Sequence, residues 1–243
     1  MPRAPAEAEA PPAPPPISES TPTSAAAEAY RTLRTNIQFA ALDRPVHSVL
    51  ITSANPGEGK TTTVANFGVV AAQAGSRVCM VDSDLRRPTL HLPFGVANGR
   101  GLTTALVEGV SLASVAEPTR VSNLSIVTSG PLPPVHGELV GSRRMRDLLA
   151  AASADFDLIL CDSPPIMIVS DAAALSAQCD GVILVVRGGA VPAEVVRRAA
   201  EQIEAVKGRV LGVLLNRIDL RRHGYYAGYH RYYRDYHRAD REG

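Results

Sequence analysis

Between residues 46 and 216, short apolar runs alternate with amphipathic stretches. The runs are VHSVLIT (46–52), RVCMVD (77–82), LSIVT (124–128), FDLILCD (156–162), GVILVV (181–186) and VLGVLLN (210–216). Several are almost unbroken Val, Ile and Leu, the pattern of strands covered on both faces of a parallel sheet. Helix-like segments at 60–74, 102–107, 143–153, 171–178 and 192–206 separate them. Strands alternating with helices predict an α/β fold, a mostly parallel central sheet flanked by helices. Upstream, Tyr30, Leu33, Ile37 and Leu42 form one apolar stripe in an Ala-rich stretch that Ser24 opens, which predicts an N-capped helix running to about Leu42. No internal repeat interrupts this order.

The periodic pattern fails at both ends. Residues 1–23 include PPAPPP (Pro11 to Pro16) and otherwise Ala, Ser and Glu, with little to bury. They read as a disordered, polyproline-like arm. The segment 220–243 likewise has too little aliphatic content to pack, and reads as a flexible tail. The span 24–219 remains as one globular domain of roughly 195 residues, enough to enclose a full core.

Composition changes this picture in three places. The net charge of the 243-residue chain is +1, which points to no class of partner. The stretch from Arg221 to Gly243 differs: six Arg against Asp235, Asp240 and Glu242 give it a net charge of +3. Six of the seven tyrosines also fall there: Tyr225, Tyr226, Tyr229, Tyr232, Tyr233 and Tyr236. A Gly-, Arg- and His-rich tail has no core for six phenols, but each phenol is a nucleophile that can accept a phosphoryl group. Cys79, Cys161 and Cys179 form no CxxC pair, and two of them sit in strand-like runs, so neither a disulfide frame nor a metal knuckle is expected. No apolar run approaches the ~18 residues of a membrane span. The N-terminus lacks a basic-then-apolar leader, so a cytoplasmic chain is expected.

The first strand runs into Ser53-Ala54-Asn55-Pro56-Gly57-Glu58-Gly59-Lys60-Thr61-Thr62 and then a helix. Strand, Gly-bearing loop, Lys-Thr and helix make the phosphate-binding loop of a P-loop NTPase. Backbone N–H groups from Asn55 to Thr62 curl around the phosphates, and the helix N-terminus adds partial positive charge. Lys60 neutralises the β- and γ-phosphates, and the Thr61 hydroxyl ligates Mg²⁺. Ala54 stands where the motif usually has its first Gly. The next strand ends in Asp82-Ser83-Asp84-Leu85-Arg86. Two carboxylates two positions apart point the same way, into the crevice at the strand's C-terminal end, where one can serve a metal and the other a proton. Taken alone the segment is equally a solvated turn. A later strand, Leu158-Ile159-Leu160-Cys161-Asp162, has the apolar-then-Asp form of a Walker B strand, with Asp162 toward Mg²⁺. The last strand closes on Asn216, whose amide can pair with an adenine edge or cap a turn.

Together these residues resemble the bacterial tyrosine kinases of capsule and exopolysaccharide assembly, within the MinD/ParA-like P-loop ATPases. The resemblance covers roughly residues 25 to 236. It rests on SANPGEGKTT as Walker A, CMVDSDLRRP as the extra A′ motif, LILCDSPP as Walker B, and the terminal tyrosine cluster. Glu28, Arg31 and Arg34 have the ExxRxxR spacing that the family uses between subunits of a ring, though that triad by itself reads as a solvated stripe. Partition and cell-division relatives carry a signature Lys five residues before the phosphate Lys, where this chain has Asn55. In SGPLPPVHGELVGS (129–142), Val135-His136 replaces the Asn-Pro of the family's PPNPxELL segment.

The resemblance implies ATP and Mg²⁺ as cofactors and Lys60, Asp82, Asp84 and Asp162 as catalytic residues. Thr61, Asp84 and Asp162 would serve the metal, and Asp82 would lie nearest the phenol. It implies autophosphorylation of the six tail tyrosines in trans within a ring-like homo-oligomer. The partners it implies are the cytoplasmic tail of a membrane polysaccharide co-polymerase, which recruits the kinase to the inner face of the membrane, and a cognate tyrosine phosphatase. No nucleic acid is expected. The rival class is a partition-type ATPase scaffold whose Tyr/Arg tail binds nucleic acid by stacking and cation–π contact.

Overall fold

The computed structural model of the chain describes residues 13–42, 44–132 and 137–218. All six tail tyrosines, and residues 133–136, lie outside the described residues.

Strands β1 (Ser48–Ser53), β2 (Val78–Asp82), β3 (Glu117–Pro118), β4 (Leu124–Val127), β5 (Leu158–Asp162), β6 (Gly181–Arg187) and β7 (Val210–Asn216) form one sheet in the order β3-β4-β2-β5-β1-β6-β7. Every pairing is parallel except β3 with β4. The alternation of side chains along each strand divides the core in two. Leu50, Cys79, Val81, Ile159, Cys161, Val182 and Leu184 face helices α4 (Leu102–Glu108), α6 (Arg143–Ala152), α7 (Asp171–Ser176) and α8 (Ala193–Ala205). Val49, Ile51, Val78, Met80, Leu160, Ile183 and Val185 face α2 (Ala25–Ala40) and α3 (Lys60–Gln73). Both faces of the inner strands β1, β2, β5 and β6 are covered, which is why those strands read as unbroken apolar runs.

The chain passes from β1 to β2 by way of α3 and leaves a vacant slot between them. The later strand β5 fills it. This insertion sets the C-terminal ends of β1, β5 and β2 side by side, with Asp162 opposite Ile51 on one flank and Asp82 on the other. A crevice at such a reversal of strand order is where α/β sheets bind ligands.

Ser24 caps α2 as its position suggests, accepting a hydrogen bond from the Ala27 amide, 3.2 Å. Three expectations are corrected. The arm anticipated over 1–23 is folded in its later part: Ile17–Ser20 form the helical turn α1, where Ser18 is buried and donates its N–H to Asn66 Oδ1 of α3, 2.9 Å. Glu19 forms a forked ion pair with Arg120. Short polar segments with few apolar residues gain order here from specific hydrogen bonds to the core. Next, α2 stops at Ala40, so Leu42 leaves the stripe and is exposed. Lastly, β7, whose apolar run reads as a strand covered on both faces, is an edge strand with Val213 and Leu215 half exposed. The short turns Leu92–Phe94 and Gly137–Val140 (α5), and the edge strand β3, carry no periodic signal in the sequence.

Cys79, Cys161 and Cys179 are all free and buried. Tyr30, the one tyrosine outside the tail, is also buried, and desolvation raises its phenol further above its ordinary range. It belongs to the core.

Candidate nucleotide and phosphoryl-transfer site

The loop after β1 turns at Gly57 (φ 76°) and Gly59 (φ 101°), both in the left-handed region that glycine adopts without strain. A Cβ at Gly59 would also run into the Asn216 amide nitrogen. Gly59 precedes Lys60, the first residue of α3, and no side chain caps that helix start. The first amides of a helix 14 residues long are thus left for an anion. Lys60 is buried and has no ion-pair partner among the described residues, while its charge lowers the Asp162 carboxyl.

Asp162 is buried at the end of β5, where its Oδ2 accepts a 2.5 Å hydrogen bond from Thr61 Oγ1. Its pKa is pushed up to about 7, chiefly by burial, with the Thr61 hydroxyl and Lys60 pulling the other way. Across the strand pair, Asp82 is wholly buried, and its Oδ2 accepts from the Leu90 amide, 3.0 Å. Burial, then the charge of Asp162, holds Asp82 well above the usual carboxylate range. Asp82 Oδ1, Asp162 Oδ1 and Ser83 Oγ are buried with no hydrogen-bond partner among the described residues. Buried oxygens of this kind ask for a cation, a proton or water. Asp84 is half buried, with Oδ1 accepting from the Arg86 and Arg87 amides (3.2 and 3.0 Å), and its charge raises both Asp82 and Asp162.

Among the described residues no group of three or more His, Cys, Asp or Glu side chains is arranged to enclose a metal ion. Mg²⁺ at a nucleotide site takes only one or two protein oxygens and completes its octahedron with phosphates and water. The touching pair Thr61–Asp162, the orphaned oxygens and nearby Asp84 fit that smaller donor set.

Two side chains brace the phosphate loop. Glu58 is buried beneath the loop, accepting from the Asn55 amide at 2.7 Å and from the Arg187 amide of β6 at 3.1 Å. Asn216 donates Nδ2 to the Glu58 carbonyl (2.9 Å) and accepts from the Arg217 amide (2.9 Å). These bonds set the Asn216 side chain against the phosphate loop. Pro56, Gly57 and Thr62 are exposed around the loop, and Asn55 is half buried. On α2, Glu28 and Arg31 pair with each other (2.6 Å), and Arg31 also donates to the Pro22 carbonyl. Arg34 Nε finds no partner among the described residues. Glu138, on α5, is exposed. Sequence reasoning missed Asp171, which holds the Arg86 guanidinium from the first turn of α7. A lone Asp opening a helix gives no signal beyond favourable interaction with the helix dipole.

Residues 47–215 match the AAA domain family. The chain is 42% identical over 213 residues to tyrosine-protein kinase YwqD of Bacillus subtilis (strain 168), covering 88% of this chain and 90% of that protein. The kinase domain of the Escherichia coli tyrosine kinase ETK has the same fold, with a TM-score of 0.79 and 34% identity over 83% of this chain and 79% of that one. The septum site-determining protein MinD of Pyrococcus horikoshii OT3, solved with Mg-ADP, is more distant: its TM-score is 0.62, with 25% identity over 71% of each chain. Three motifs meet on adjoining strand ends, and a relative shares two-fifths of its residues over almost the whole length; the chain therefore belongs to the bacterial tyrosine kinases.

Proposed function

We propose that the chain is an ATP-dependent protein-tyrosine autokinase that phosphorylates Tyr225, Tyr226, Tyr229, Tyr232, Tyr233 and Tyr236 of a neighbouring copy. It thereby regulates polymerisation and export of a capsular or extracellular polysaccharide. The observation that carries this reading is the register of Asp82 opposite Asp162, with Thr61 hydrogen-bonded to the latter at the start of α3. Phosphate loop, metal carboxylate and a second buried carboxylate thus occupy one crevice.

The amides of the Asn55–Thr62 loop and Lys60 hold the β- and γ-phosphates of ATP. Thr61, Asp162 and Asp84 would hold Mg²⁺, which would neutralise charge on the transferring group. Asp82 has a raised pKa and one free oxygen, which suits it to take the proton of the phenol, whose ordinary pKa is about 10. The tyrosine oxygen bonds to the γ-phosphorus as the bond from that phosphorus to the β,γ-bridging oxygen breaks, and ADP leaves. Nine residue steps lead from Asn216 to Tyr225. Extended, they reach about 30 Å, the width of a small domain, which favours transfer between subunits. Glu28, Arg31 and Arg34 are the proposed contacts of a ring, and a membrane protein's cytoplasmic tail is the proposed activator that recruits the chain.

Intact mass after incubation with Mg-ATP, beside Lys60→Ala, tests the reading. The expected result is phosphate on Tyr225–Tyr236 in the parent chain and none in the variant. ATP hydrolysis without phosphotyrosine, with or without the activator tail, would leave a partition-type ATPase instead.

A further inference from the structure

Asp171 is a buried carboxylate, its side chain 2% exposed, standing 85 positions along the chain from the Arg86 guanidinium that pairs with it. Arg86 reaches it with both arms of the guanidinium, Nε to Oδ2 at 2.9 Å and Nη2 to Oδ1 at 3.0 Å. The guanidinium fork matches a carboxylate in two parallel bonds and so fixes direction as well as distance. The main chain of the same residue is equally constrained, because the Arg86 and Arg87 amides both donate to Asp84 Oδ1. Arg86 is therefore tied at one end to α7, which follows the Walker B strand, and at the other to the carboxylate placed at the metal.

A third segment bears on the pair. A Cβ at Gly137 would stand 3.0 Å from Asp171 Oδ1 and 3.8 Å from Arg86 Nη2, so the start of α5 lies directly against it. An ion pair that is buried on one side is a poor device for stability alone, since desolvation of the carboxylate offsets much of the attraction. Its worth here lies in geometry: it sits where the A′ loop, α7 and α5 meet.

We propose that Asp171 is a positioning residue for phosphoryl transfer: by clamping Arg86 it fixes the turn that orients Asp84 toward the nucleotide-bound cation. This rests on the kinase reading above only in assigning Asp84 to that cation. A carboxylate that orients a metal-site group from outside the ligand set typically affects metal affinity by about 10-fold or more when removed.

The test uses the full-length chain and Mn²⁺ as a spectroscopic stand-in for Mg²⁺. Electron paramagnetic resonance measures Mn²⁺ affinity of the ADP-bound protein, and a fluorescent ADP analogue measures nucleotide affinity without metal. In Asp171→Asn we expect Mn²⁺ affinity to fall about 10-fold while metal-free nucleotide affinity stays within about twofold. Arg86→Lys keeps the charge, loses the fork and leaves the buried carboxylate partnered; it should show the same selective loss even if the Asp171 variant fails to fold. The double variant should be no worse than either single one, because both act on the same contact. Unchanged Mn²⁺ affinity in Arg86→Lys, additive losses, or parallel loss of metal-free nucleotide binding would each overturn the proposal. Phosphotyrosine formation by the parent chain is scored alongside. Its absence with the Mn²⁺ effect intact would sink the kinase reading alone, and its presence with no Mn²⁺ effect would sink this inference alone.

Discussion

Asp162 has an ordinary carboxylate value of 3.8 raised to about 7 in the folded chain, mainly by burial. The folded state therefore holds a proton that the unfolded state has already released over that interval. Stability from this group is full below the unfolded value and is lost as pH rises toward 7, the direction set by a folded state that binds more protons. Asp82 is shifted the same way, so the two reinforce each other. In nucleotide-free protein, the melting temperature should fall between pH 5 and pH 8, and Asp162→Asn should flatten that slope. A variant with the parent's slope would show that the carboxylate is already ionised at pH 5. Mg-ADP affinity should rise over the same window, because the cation displaces the proton. The glutamate of the loop illustrates the opposite economy: both Glu58 oxygens are engaged by backbone amides, so that carboxylate shapes the loop and leaves phosphate contact to the main chain.

At the level of elements, α2 owes its start to a local rule. The Ser24 hydroxyl satisfies one of the amides left open at the first turn. Ser24→Ala should lower stability by about 1 kcal/mol, read as a lower denaturant midpoint with an unchanged slope. A changed slope would instead mean that the helix has detached and altered the surface buried. Other elements owe their place to distant contacts. The turn α1 has four residues and a single buried side chain, and is held by Asn66 and by the Glu19–Arg120 pair. Nothing in the Pro-rich composition around it announces those partners. The apolar run of β7 matches that of β6 in character, yet β6 is covered and β7 is half open. Burial of a strand depends on its neighbours in the sheet, and composition alone does not say which strand takes the edge.

For the whole molecule, the tail joins the core directly after β7 and carries a net charge of +3 with six phenols. Each phosphate adds about −1.5 to −2, so full phosphorylation would swing the tail to roughly −6 to −9. Repulsion of that size favours release of tails from neighbouring sites. The proposed ring should accordingly dissociate as phosphate accumulates. Light scattering of Lys60→Ala and of fully phosphorylated parent chain should give a larger mass for the variant. Equal masses would remove charge repulsion as the switch.

The order strand–loop–Lys-Thr–helix, the DxD strand end and the apolar-then-Asp strand were legible because each is a local arrangement. A few consecutive residues settle backbone direction, the exposure of amides at a helix start and the side on which alternate side chains emerge. The same holds for the helix boundaries near Ser24 and Lys60 and for the α/β class itself. Tertiary structure alone decided which of these pieces touch. Asp82 meets Asp162 because β5 enters the slot between β1 and β2, 76 residues after β2 has ended in sequence. Asn216 donates its side-chain amide to the Glu58 carbonyl of the phosphate loop, and Asp171 finds Arg86, likewise through tertiary packing. Such pairings depend on sheet order and helix packing, which are collective outcomes of burying two apolar faces at once and leave no mark on the spacing of residues along the chain.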